Sequence, residues 1–127
     1  MIHSNNKEKF YFEIDKNKDN LFYFNLKDKN GKVYLKSGSY TQKTNCQNGI
    51  KSVRINSKNR ERFDINQNSN MGWSGVLKAE NGRTIAFIPY FNDKFKIEVF
   101  IEHLSQIINY AKFSDKTKRI PQWQIND

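Results

Sequence analysis

Leu26-Lys27-Asp28-Lys29-Asn30-Gly31-Lys32-Val33 reads as one strand, a turn and a second strand. Asn-Gly accepts the positive φ angles of a tight hairpin turn, so this dipeptide between two extended runs is a strong local hairpin signal. Fifty-one residues on, Leu77-Lys78-Ala79-Glu80-Asn81-Gly82-Arg83-Thr84 follows the same plan. The same offset pairs Phe12 with Phe63, Ile14 with Ile65, Phe22 with Trp73, Tyr40 with Phe91 and Ile50 with Ile101. An ungapped register held at so many apolar positions predicts a tandem duplication.

Working outward, Phe10, Phe12 and Ile14 alternate with Tyr11, Glu13 and Asp15, the period-two pattern of a half-buried strand. Phe22, Phe24 and Leu26 mark the inner side of a second strand, and Lys32 to Ser37 supplies a third before Gly38-Ser39 breaks it. Thr41 is placed to cap a helix running to about Ser57, with Cys46, Gly49, Ile50 and Val53 toward the sheet. The second copy repeats the three strands from Arg62. Its last strand is expected to end at Pro89, which has no N–H to give to a ladder. A longer helix from about Asp93 to Lys112 follows. The expected fold is α+β: two tandem β-β-β-α units forming one mostly antiparallel sheet, with both helices on one face and the other face left for solvent or a partner. The expected organisation is a polar arm (1–8), a first repeat (9–60), a second repeat in the same compact domain (61–112) and a basic tail (113–127), in which Ile120 to Ile125 offers a last strand.

The chain has 127 residues, enough for one compact domain, and its ten Phe, six Tyr and two Trp argue for a folded core. The opening residues have no apolar run like that of a signal peptide. No later stretch approaches the roughly 20 apolar residues that cross a bilayer. With a single cysteine, Cys46, these absences point to the cytoplasm.

The formal charge of +9 is uneven. Residues 1–60 hold thirteen basic and five acidic groups, a surplus of eight; residues 61–127 hold nine and eight, a surplus of one. No acid lies between Asp28 and Glu61. A positive field over one half of a molecule is the usual footprint of a polyanion partner. Lys43, Gln47, Lys51, Arg54 and Lys58 follow one side of the first helix, which reads either as a solvated face or as a phosphate-tracking surface. Tyr11 and Tyr23 point outward near Lys27. They form either a base-stacking platform bordered by lysines or a cross-strand pair that serves the sheet alone.

Phe12-Glu13-Ile14, Phe22-Tyr23-Phe24-Asn25-Leu26-Lys27, Asn30-Gly31-Lys32-Val33, Gly38-Ser39-Tyr40 and Asn48-Gly49-Ile50-Lys51-Ser52-Val53 with Asn56 together resemble the YegP-like family, small bacterial proteins of one or two such repeats. The resemblance covers roughly residues 9–90. It implies three-strand-plus-helix units assembling one sheet, with terminal strands exchanged between units, and it implies no activity. After Pro89 the chain departs: where the family shows a second Asn-Gly-Ile, Phe100-Ile101 stands in the helix.

No P-loop, dinucleotide fingerprint or nucleophile elbow is present. His103 has no second histidine for a metal site, and Cys46 reads as a core residue. The chain is therefore read as a non-catalytic binding module needing no cofactor, metal or small-molecule substrate. The expected ligand is RNA or a ribonucleoprotein, contacted through Lys27, Lys29, Lys32, Lys36, Lys43, Lys51, Arg54 and Lys58, with stacking on Tyr11 and Tyr23. A second reading is a regulatory protein docking a specific protein target through Phe95, Phe100, Trp123, Lys118 and Arg119. One form of it is a mobile-element-encoded inhibitor of a nucleic-acid-guided defence complex. A third is a structural homo-oligomer, and exchanged strands would make a homodimer natural.

Overall fold

The computed structural model describes residues 9–118. Strands β1 (Phe10–Lys16), β2 (Phe22–Asp28) and β3 (Val33–Lys36) lead into helix α1 (Lys43–Asn56). A 3-10 turn, Arg60–Arg62, then leads into β4 (Phe63–Gln67), β5 (Trp73–Lys78), β6 (Thr84–Phe91), helix α2 (Lys94–Tyr110) and β7 (Lys112–Asp115). All seven strands form one sheet in the order β4-β5-β6-β3-β2-β1-β7. The chain is α+β, as expected, but the sheet is mixed: β7 runs parallel to β1. The tail thus begins as a strand, while Arg119, Trp123 and the Ile120 to Ile125 segment lie outside the described residues.

Both helices cover one face. The side chains the strands send there are fully or nearly fully buried: Phe12, Ile14, Phe24, Leu26, Leu35, Phe63, Leu77, Ala86 and Ile88. They meet Cys46, Ile50 and Val53 of α1 and Ile97, Ile101, Leu104 and Ile108 of α2. Each large side chain so enclosed contributes about 1.5–3 kcal/mol by leaving water.

The two hairpin turns are built alike. Gly31 donates its N–H to the Asp28 carbonyl and Asp28 its N–H to that of Lys32, as Gly82 does to Ala79 and Ala79 to Arg83 fifty-one residues later, and Gly31 and Gly82 take φ of 91° and 86°. Asp28 reinforces its own turn, its Oδ1 accepting the N–H groups of Asn30 (2.9 Å) and Lys32 (3.0 Å). The β1–β2 and β4–β5 connections likewise match, with Asn20 and Met71 at φ of 66° and 71°.

Two local expectations are corrected, and the face of the third strand is settled. Helix α1 starts at Lys43, with Gln42 rather than Thr41 at the cap position and no side-chain cap bond. In α2, by contrast, Asp93 caps by accepting the Phe95 N–H. Pro89 does not end β6. The register between β5 and β6 shifts between Trp73 and Gly75, which leaves Pro89-Tyr90 opposite Ser74 in a bulge where no N–H is required. In β3 both Tyr34 and Leu35 turn toward the helices, because the register shift between Leu26 and Lys27 makes Tyr34 the extra residue of a bulge. Tyr34 then stacks on Phe100 of α2, with ring centroids 6.0 Å apart.

Candidate binding surface on the open sheet face

The face away from the helices is organised by register. Reading straight across the strands, Asp64 pairs with Val76, Val76 with Phe87, Phe87 with Lys36, Lys36 with Asn25, Asn25 with Glu13 and Glu13 with Ser114. One unbroken row of side chains therefore crosses the whole sheet, neighbouring strands being about 4.8 Å apart. The row is closed toward both ends by an ion pair. Lys27 Nζ donates to Glu13 Oε1 at 2.9 Å, and Lys78 Nζ lies 2.5 Å from Asp64 Oδ2. Glu13 is only 6% exposed and also faces Lys116 at 3.6 Å. Its hydrogen bond holds the Lys27 ammonium above its usual pKa, and the phenols of Tyr11 and Tyr23 act in the same direction.

The middle of the row has no such closure. Phe87 is 46% exposed in the centre of the sheet, directly beside the exposed Lys36. Tyr11 stands opposite Lys27 and Tyr23 opposite Asp15, so the two tyrosines flank the Glu13–Asn25 pair rather than touch. Phe87 was missed as a site residue. Its signal is the alternation Ala86-Phe87-Ile88, inner residues around an outer aromatic, which the expected strand end at Pro89 obscured.

The structure separates the ten residues expected to bind nucleic acid into three places. Tyr11, Tyr23, Lys27 and Lys36 share the open face. Lys29 and Lys32 sit at the β2–β3 turn, Lys32 over the Tyr34 ring at 5.3 Å. Lys43, Lys51 and Arg54 lie on α1 and Lys58 in the turn just after it, across the sheet. Two of that last group are engaged internally, so the row is not one uniformly solvated face. Lys43 donates to Asp115 Oδ2 at 2.8 Å, joining α1 to β7. Arg54 donates to the carbonyls of Ile108 (2.8 Å) and Ala111 (2.9 Å) at the end of α2 and lies over the Phe12 ring at 4.9 Å. Lys51 and Lys58 are exposed. Of the residues expected to bind protein, Phe95 is 74% exposed and Lys118 is exposed. Phe100 is instead half-buried between Tyr34 and Phe91. Burial pushes the Cys46 thiol up to about 11, a core residue's environment rather than a nucleophile's.

A UPF0339 protein of Photorhabdus laumondii is 31% identical to this chain over 108 residues, spanning 85% of this chain and 95% of that protein. This chain belongs to the YegP-like family. The model of a domain of unknown function, DUF1508, matches residues 17–64. YegP of Escherichia coli K12 is 44% identical over 75 residues, covering 59% of this chain and 68% of that protein. The solution structure of E. coli YegP superimposes with a TM-score of 0.78 at 33% identity, over 86% of this chain and 94% of that one. A UPF0339 protein of Shewanella oneidensis gives 0.77 at 28% identity, over 84% and 91%. The YegP-like fold thus includes both halves of the sheet. No helix among the described residues is long and apolar enough to cross a membrane.

Proposed function

We propose that this chain is a cytoplasmic, non-catalytic binding module that holds single-stranded RNA, free or within a protein–RNA complex, across its open sheet face. The observation that carries the reading is Phe87, an exposed aromatic on a central strand with Lys36 beside it. Aromatics on an open sheet stack bases, and adjacent lysines neutralise phosphates. Lys27, Lys29 and Lys32 extend the cationic path toward the hairpin end, and Tyr11 and Tyr23 offer further stacking surfaces. A tandem duplication of β-β-β-α units underlies this platform. In its support, the Glu13–Lys27 ion pair recurs fifty-one residues on as Asp64–Lys78, and Lys43 over Phe22 recurs as Lys94 over Trp73. On that symmetry Lys36 and Phe87 occupy equivalent places.

The test is fluorescence anisotropy with labelled single-stranded RNA and duplex DNA over a series of salt concentrations. Affinity for RNA should fall steeply with salt. Phe87→Ala should weaken it about tenfold, since stacking on one aromatic contributes about 1–3 kcal/mol, and Lys36→Glu should weaken it further. Lys51→Glu with Lys58→Glu, on the far side of the sheet, should leave it within about twofold. Absence of RNA binding at low salt would sink the reading.

A second reading rests on Phe95, whose ring is 74% exposed in the first turn of α2. An aromatic so displayed suits a protein interface anchor, as a regulator or inhibitor would need. Under it, Phe95→Ala abolishes capture of the target while Phe87→Ala does not.

A further inference from the structure

We propose that a cleft between the β2–β3 turn and α2 binds a planar aromatic anion of the nucleoside monophosphate class. The cleft lies on the helix side of the sheet, away from the open face, and shares Lys29 with the cationic path of the RNA reading. One wall is a single stripe of α2, on which His103, Gln106, Ile107 and Tyr110 recur at helical spacing. The other wall is the hairpin turn with Tyr34, and Phe10 at the start of β1 contributes a further aromatic. The cleft is open to solvent along one side and offers about 770 Å³, within the range that holds small ligands.

The lining has the two chemistries such a ligand requires. Phe10, Tyr34, Ile107 and Tyr110 supply aromatic and apolar surface for a ring, and Asn30 and Gln106 carry amides that both donate and accept at a base edge. Lys9 and Lys29 bring two cations for a phosphate. Among the described lining residues the one carboxylate, Asp28, is already matched. Burial alone would raise its pKa, but the N–H groups of Lys32 and Asn30 and the Tyr34 hydroxyl (3.2 Å) hold it below the ordinary value.

The other half of the chain does not repeat these residues. At a distance of fifty-one residues, the positions of Phe10, Lys29 and Tyr34 are held by Glu61, Glu80 and Ile85, and those of His103 and Tyr110 by Ser52 and Asn59. The same hairpin turn is built there without the lysine, while Asn59 lies beyond the end of α1 and Glu61 in the 3-10 turn. Phe10 and Tyr34 meet edge to face and Tyr34 stacks on Phe100, so the aromatic part of the lining also serves the core; ligand binding accounts for the cations and the amide gathered around it, Lys9, Lys29 and Gln106.

The experiment is an amide NMR titration of the full chain with AMP, adenosine and inorganic phosphate. AMP should shift the amides of Asn30, His103, Gln106 and Tyr110 saturably in the millimolar range or below, with phosphate alone at least about tenfold weaker. Lys29→Glu should weaken AMP about tenfold and leave adenosine within about twofold. Gln106→Trp, a change at an exposed position that fills the cleft, should remove both at unchanged melting temperature. No saturable shift with AMP, equal affinity for phosphate alone, shifts confined to the α1 lysines, or unchanged AMP binding by Gln106→Trp would each overturn the proposal.

Discussion

Replacing Arg54 should unfasten the two helices from each other. Its guanidinium joins α1 to the end of α2 by two hydrogen bonds, to Ile108 and Ala111, in a helix whose own last turn has no basic residue. It therefore supplies from outside the cation that the negative end of α2 favours. Arg54→Met keeps the aliphatic length over Phe12 but removes both donors. Hydrogen bonds from charged donors contribute about 1.5–3 kcal/mol each. Because Arg54 is only half-buried, the lower figure applies, giving about 3 kcal/mol for the pair. That is a large part of the roughly 5–15 kcal/mol that holds a domain together. Arg54→Lys should recover some of the loss, since one ammonium keeps the charge but not the fork. The assay is urea unfolding, read as a lower midpoint at unchanged slope, with exposed Lys51→Met as a control expected within about 0.5 kcal/mol. A loss below about 1 kcal/mol for Arg54→Met would refute the reasoning and return Arg54 to the surface, available to a polyanion. Until that is known, a charge reversal at Arg54 is a poor probe of binding, because it perturbs the scaffold.

Met71 holds a left-handed φ of 71° where its counterpart is Asn20, so Met71→Asn should stabilise the protein by about 1 kcal/mol in thermal unfolding. Gly49 lies where an added Cβ would come within 2.5 Å of the Tyr40 hydroxyl and 3.0 Å of the Phe24 ring. Gly49→Ala should cost about 1–3 kcal/mol, partly recovered in a Tyr40→Phe background, and equal losses in both backgrounds would contradict this contact. Burial alone would raise the Asp115 pKa, but hydrogen bonds from Lys43 and Thr117 hold it below its ordinary value. Its contribution is therefore complete above the unfolded carboxyl value near 3.9 and lost as pH falls through the lower folded value. Asp115→Asn should flatten the stability profile below about pH 5, whereas a profile parallel to that of the native chain would count against the Lys43–Asp115 pair. The buried Cys46 thiol, raised to about 11, should react with a thiol reagent at pH 8 only at the rate of unfolding.

Where local chemistry decides, the sequence was readable. The Asn-Gly turns, the inner row Phe12, Phe24 and Leu26, and the buried face of α1 all follow from residue type and period. The pairing of Glu13 and Asp64 with lysines was also legible, since outer-face charges on neighbouring strands lie within reach of one another. What escaped depends on partners far along the chain or on an extra residue in a ladder. Arg54 looks like any exposed basic residue at helical spacing, and only the end of α2, more than fifty residues away, shows why it is there. Pro89 ends most strands but passes through a bulge, and missing that bulge hid the outward side of Phe87. Tyr34 could not be assigned to a face by alternation, because the bulge sends two successive residues to the same side.

Strand β7 gives this fold a particular order of assembly on the ribosome. Strand β1 finds β2 within a dozen residues, but Tyr11 waits about a hundred residues for Lys112. At ordinary rates of translation that interval is roughly 5–20 s, during which one margin of the growing sheet stays unzipped. Glu13 then has Lys27 but not Lys116, and Lys43 has no Asp115 to hold. A nascent strand in that condition can recruit a neighbouring polysome's product. Lys9, just before β1, and Lys16, its last residue, are the charges that would keep such chains apart until the last strand arrives.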